Sequence, residues 1–244
     1  MNNKKCIIKL ENIFFSYPGS GKKVLDGLNL DVFKGDKIGM VAPNGSGKTT
    51  LFHTIMGLCK PESGSIEIFG KYVKDEKDFY SVRSKIGLLF QDSDDQLFCP
   101  TVIDDVAFGP LNLGAPPEKA VKIAENTLQA LGIRELENCI THRLSGGQKR
   151  LVALASVLAM EPEVLLLDEP TSGLDTGFKE KLVSILVNLD ITCIVISHEF
   201  DFLSKVTNTL LSMDNGKILT EDDGLYIHQH KHMHKLGRQP HKHI

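Results

Sequence analysis

The sequence predicts an α/β protein with a mainly parallel core sheet, an antiparallel β-subdomain at its N-terminus and an inserted helical subdomain. Three observations carry this. Short apolar runs at Ile38–Val41, Val164–Leu167 and Ile191–Ile196 have the length and continuity of strands buried on both faces, as in parallel sheets. Helical patterns follow two of them, giving the strand-helix-strand rhythm of an α/β domain. Between the two halves, from about residue 92 to 160, strand signals fade and helical spacing takes over.

The elements follow in order. Ile7–Asp31 alternates apolar runs around the turn signal Pro18-Gly19-Ser20-Gly21, an antiparallel pair or small edge sheet. Ile38–Val41 ends at a glycine-rich turn, and Leu51–Leu58 then has helical spacing. In the middle region Pro117 and Glu118 open a helix whose Ala120, Val121, Ala124, Thr127, Leu128 and Leu131 share one face, and Gly132 closes it. A helical pattern from Phe178 to Leu189 connects the last two buried strands. No internal repeat is visible. From Tyr226 onward His, Lys, Gln and Pro dominate, so residues 226–244 read as a mobile tail.

Composition bounds the function. At 244 residues and 41% hydrophobic content the chain can bury a sizeable core. A net charge of −3, from 28 basic and 31 acidic residues, provides no overall field for nucleic acid or anionic lipid. The longest apolar candidate, Leu151–Met160, is about half the roughly 18 to 20 residues that cross a bilayer. The N-terminal stretch lacks the apolar core of a secretory signal, and any membrane link is expected through a protein partner. Five scattered cysteines without a C-x-x-C pair suggest reduced thiols in the cytoplasm.

The segment Ala42-Pro43-Asn44-Gly45-Ser46-Gly47-Lys48-Thr49, followed by Thr50, fits the phosphate-loop pattern with Ala in place of the first Gly. Gly45 and Gly47 allow the backbone to curl until successive N–H groups point at phosphate oxygens, and the following helix adds its positive dipole end. Lys48 supplies a point charge to the β- and γ-phosphates of ATP, and Thr49 is placed to ligate Mg²⁺. Asp168-Glu169 leaves the carboxyl end of a buried strand, where ligands gather in open α/β sheets. Asp168 is the expected Mg²⁺ holder, directly or through water, and Glu169 the expected base for the attacking water.

With Leu144-Ser145-Gly146-Gly147-Gln148, similar to the signature motif, the chain resembles the ATP-binding cassette (ABC) ATPases, a branch of the P-loop NTPases, from Ile7 to about Leu225. The resemblance makes residues 1–225 one ATPase domain and implies a head-to-tail dimer. In it, Ser145, Gly146, Gly147 and Gln148 of each chain complete the other's nucleotide site. Tyr17 resembles the aromatic that stacks on adenine, Gln91 the glutamine that senses Mg²⁺ and couples to the transporter, and His198 the switch histidine on the γ-phosphate. Ser172-Gly173-Leu174-Asp175 resembles the loop that crosses the dimer. The Ala42 departure is tolerable at negative φ.

The stretch Asp94-Asp95-Gln96-Leu97-Phe98 looks like the docking segment of energy-coupling factor (ECF) importer ATPases, closest to the cobalt and nickel group. That resemblance implies a second ATPase chain in a homodimer, a transmembrane coupling subunit and a substrate-binding membrane subunit, with the ATPase peripheral on the cytoplasmic face of the cell membrane. In the tail, His228, His230, His232 and His234 alternate at a spacing that can chelate a transition metal. The competing readings are a vitamin ECF importer and a soluble ABC ATPase acting on nucleic acid or ribosomes. Against the latter stand the single cassette and the lack of a basic patch.

Overall fold

The computed structural model describes residues 4–219. In chain order the strands are β1 (Cys6–Ser16), β2 (Lys23–Phe33), β3 (Lys37–Val41), β4 (Ser63–Ile68), β5 (Lys71–Tyr72), β6 (Ile86–Leu89), β7 (Val164–Asp168), β8 (Thr192–Ile196), β9 (Thr209–Asp214) and β10 (Lys217–Leu219). The helices are α1 (Lys48–Ile55), α2 (Glu76–Arg83), α3 (Val102–Asn112), α4 (Pro117–Ala130), α5 (Gly146–Leu158), α6 (Thr176–Asn188) and α7 (Phe200–Val206).

Two sheets form. The larger has the order β10-β9-β3-β8-β7-β6, with β9, β3, β8, β7 and β6 parallel and β10 antiparallel at the edge. The expected parallel core is therefore present. The N-terminal sheet is larger than the pair read from the sequence: β4 and β5 return after α1 and extend it to β2-β1-β4-β5.

β7 and β8 are buried along their whole length, and period-2 geometry divides their side chains between two cores. Val164, Leu166, Ile194 and Ile196 pack toward α1 and the antiparallel sheet. Leu165, Leu167, Cys193 and Val195 face the layer of α5, α6 and α7. A third cluster, with Val106, Ala124, Leu128, Val152 and Ala155, joins α3 and α4 to α5 and forms the inserted helical subdomain.

Helix boundaries follow local chemistry. α1 stops at Ile55, short of the expected Leu58, because Gly57 turns left-handed (φ 68°) and sits where a Cβ would lie 2.4 Å from the Phe79 ring. α6 starts at Thr176 because the Asp175 carboxylate accepts from the Phe178 N–H as an N-cap. All five cysteines are free thiols. Among the described residues no helix is long and apolar enough to cross a membrane. The histidines at 228, 230, 232 and 234, and the 226–244 boundary, lie outside the described residues.

Candidate active site

The loops leaving β3, β6, β7 and β8 meet at the carboxyl edge of the parallel sheet, so four separate sequence segments converge on one cleft of about 530 Å³. Tyr17, Gly45, Gly47, Lys48, Thr49, Gln91, Asp168, Glu169 and His198 line it, together with Val24, Asn44, Thr50 and Ser172.

The phosphate loop is built by conformation. Gly45 (φ 77°) and Gly47 (φ 103°) are both left-handed, and a Cβ on Gly47 would lie 2.7 Å from the Val24 carbonyl oxygen. Gly47 is thus required twice over, by backbone and by space. Ala42 is buried and is not among the positive-φ residues, so its methyl group is accommodated. Lys48 is buried, and its ammonium donates to the Ala42 carbonyl at 2.7 Å and to His198 Nε2 at 3.3 Å. Thr49 Oγ1 donates to Asp168 Oδ2 at 2.7 Å, bringing a hydroxyl and a carboxylate together at the end of α1. At the rim the Tyr17 hydroxyl meets Thr50 Oγ1 at 3.0 Å, while its ring packs edge-on against Phe15.

Glu169 is buried and holds a left-handed backbone (φ 45°) although Pro170 follows it, a position that ordinarily favours extended geometry. Flanking hydrogen bonds impose this: its N–H donates to Ile196 O at 2.9 Å, and its carbonyl accepts from Ser172 N–H at 3.1 Å. Strain held in place by the surroundings is a mark of functional sites. Its Oε2 accepts from the His198 N–H at 3.3 Å. Its Oε1 lies 3.6 Å from Lys48 Nζ and 3.0 Å from His198 Nε2, yet has no hydrogen-bond donor. A buried carboxylate oxygen without a donor, lining the cleft beside Lys48, is suited to accept a proton from water.

The signature segment borders an adjoining cleft of about 730 Å³, where Gly146 lines the wall with Thr49, Gln91 and Asp168. Ser145 caps α5, with its Oγ accepting from Gln148 N–H at 3.3 Å and Gln148 Oε1 accepting from Ser145 N–H at 2.9 Å. None of Ser145–Gln148 lines the 530 Å³ cleft. Gly146 is exposed, and a Cβ there would meet nothing within 4 Å, whereas one on Gly147 would lie 2.4 Å from the Phe178 ring. Gly147 is explained by packing within this chain; Gly146 is not.

The segment after Gln91 is divided by the structure. Gln96 turns inward, donating to Leu88 O and Ala153 O and accepting from Phe90 N–H, and Leu97 packs into the helical cores. Asp94, Asp95 and Phe98 face outward, with Asp94 paired to Lys149 at 2.5 Å. Phe98 is 65% exposed and braced edge-on against Phe108, centroids 4.7 Å apart. Behind it, buried Asp105 accepts at Oδ1 from the N–H groups of both Phe98 and Cys99, and burial pushes its carboxyl pKa up. Neither Asp105 nor Arg150, which grips the backbone at Phe90 and Gln91, was singled out by sequence reasoning. The helical phase offered one signal for Arg150, which shares the buried face of α5 with Gly147, Leu151 and Leu154.

Residues 25–172 match the family model described as ABC transporter. The chain belongs to the ABC transporter family. A putative ABC transporter ATP-binding protein of Nitratidesulfovibrio vulgaris is 48% identical over 237 residues, covering 97% of this chain and 86% of that protein. The energy-coupling factor transporter ATP-binding protein EcfA of Methanocaldococcus jannaschii is 44% identical, covering 88% and 78%. Among solved structures, cbiO1 of Clostridium perfringens, described as part of the ABC transporter complex cbiONQ, superposes with a TM-score of 0.77 at 37% identity, covering 89% and 88%. A dimeric ATP-binding cassette bound to ADP and Pi superposes at 0.81 with 26% identity, covering 88% and 97%. This cassette binds ATP and hydrolyses it.

Proposed function

We propose that this chain energises an ECF-type importer for cobalt or nickel ions, as a head-to-tail homodimer seated on the cytoplasmic face of the membrane. The single observation that carries the membrane role is Phe98: a large aromatic held out of the core, stiffened by Phe108 and Asp105, and set beside Asp95. An exposed apolar anchor with an adjacent charge suits a mixed polar and apolar partner surface. The likeness to EcfA and to cbiO1 supports the same reading.

In the catalytic cycle the phosphate loop and Lys48 hold the triphosphate, Tyr17 packs on adenine, and His198 reaches the γ-phosphate. The paired oxygens of Thr49 and Asp168, with Gln91 across the cleft, fit the hard oxygen donors that Mg²⁺ takes. Held by these residues, Mg²⁺ would supply positive charge to offset that of the triphosphate. Glu169 accepts the proton of the attacking water at Oε1. The exposed amide end of α5, from Ser145 to Gln148, caps the γ-phosphate held by the other chain, and the loop at Asp175 crosses between chains.

The test is uptake by cells expressing the chain with its membrane partners. Asp95→Lys with Phe98→Ala should reduce Co²⁺ or Ni²⁺ accumulation at least about tenfold while the purified protein retains its basal ATPase. Normal metal accumulation by the double variant would remove the docking role, and uptake of a vitamin with none of either metal would replace the substrate class.

A further inference from the structure

The run from Phe90 to Gln96 is fastened to α5 by side chains from both partners. Lys149 of α5 pairs with Asp94, Gln96 reaches the Ala153 carbonyl of α5, and Arg150 of α5 grips the loop at its start. Arg150 is the buried member, 5% exposed. Its two terminal nitrogens donate at 2.6 Å each to consecutive carbonyls, those of Phe90 and Gln91, and its Nε has no partner among the described residues. Burial pushes the guanidinium pKa down, partly offset by Asp92 and Asp168. A buried cation is costly unless its hydrogen bonds do something an apolar side chain could not. Here they span a carbonyl pair that a planar fork can match and a single ammonium cannot.

We propose that Arg150 is a positioning residue: it locks the backbone that carries Gln91 to the helix that carries Ser145–Gln148, so that these two parts move as one. The sense of this motion, driven by a membrane partner, rests on the importer reading; the tie itself does not. The fork also explains why Gln91, whose side chain is exposed, can face the cleft without any hydrogen bond of its own to fix it among the described residues: its carbonyl is held from behind.

The experiment is a double-mutant cycle on ATP turnover by the purified full chain, combining Arg150→Lys with Gln91→Ala. Arg150→Lys should lower kcat about tenfold, one charge-assisted bond being lost, with KM for ATP changed less than about twofold. In the Gln91→Ala background the same substitution should change kcat by less than about twofold, because its effect runs through Gln91. Wild-type kcat in Arg150→Lys, or a full loss carried over onto Gln91→Ala, overturns the proposal. Arg150→Met removes the charge at similar length and should reproduce the kcat loss; where it fails to fold, the lysine variant still decides. A coupled cycle together with no metal uptake in cells would retain the Arg150 tie and discard the importer reading.

Discussion

Adding one methyl group at Gly146 and, separately, at Gly147 should give opposite outcomes, although the two residues are neighbours in one motif. At Gly146 the new Cβ meets nothing within 4 Å and φ is not positive, so the chain alone should tolerate alanine or gain up to about 1 kcal/mol from reduced backbone freedom. For a chain of this size that is a rise in Tm of at most roughly 2–4 °C. At Gly147 the Cβ would stand 2.4 Å from the Phe178 ring, which packs against the helical core. Overpacking of that kind costs about 1–3 kcal/mol, a fall in Tm of roughly 2–12 °C. In a closed dimer the order reverses. The Gly146 methyl would intrude where the other chain's γ-phosphate approaches, and losing one N–H bond to a charged group costs about 1.5–3 kcal/mol, or roughly 10- to 150-fold in ATP-driven association. Both variants would be made in the Glu169→Gln background to stop turnover, melted by scanning fluorimetry, and titrated with ATP on a sizing column. The reasoning is refuted if Gly146→Ala dimerises at the wild-type ATP concentration, or if it loses stability as Gly147→Ala does.

Glu169→Gln alone should reduce turnover by about 10²- to 10⁴-fold, the usual contribution of a positioned base, while ATP binding survives; retained turnover would take Glu169 out of that role. Asp105 gives a pH prediction. Its folded pKa is raised by burial, so between the ordinary carboxylate value and the raised one the folded chain binds more protons than the unfolded chain. Stability from this group therefore falls as pH rises through that window, and its cost is fully present above the raised value. Asp105→Asn can keep both bonds from the Phe98 and Cys99 N–H groups through its amide oxygen but does not titrate. The Tm of wild type minus that of the variant should increase on acidification from pH 7 into the window; a flat difference down to pH 4 would contradict the assignment.

What was legible in the sequence was what is local. The phosphate loop, the buried strands β7 and β8, and the cap of α5 each declare themselves within about eight residues, through glycine spacing, apolar continuity or a Ser-x-x-Gln box. The N-terminal sheet was only half legible because β4 pairs with β1 across 49 to 60 residues and β5 has only two residues, too few to carry a pattern. Arg150 reaches the loop 59 and 60 residues away, and nothing near it in the chain announces carbonyls in need of a donor. In the expected docking segment, the family resemblance could name Gln96, Leu97 and Phe98 together but could not say that the first two turn inward. Glu169 is the sharpest case: the residue type and the strand before it pointed to its role, while Pro170 pointed to an extended backbone that the hydrogen bonds to Ile196 and Ser172 override.

That left-handed backbone at Glu169 bears on how variants of this protein would be selected. Glycine or asparagine tolerates such a conformation far better than glutamate, so either substitution should relieve on the order of 1 kcal/mol of local cost. A library screened by heat alone would therefore be drawn toward replacing Glu169, enriching chains that survive higher temperature and have lost the carboxylate proposed to activate water. Any effort to make this cassette more robust has to score survival and turnover together, at this position above all.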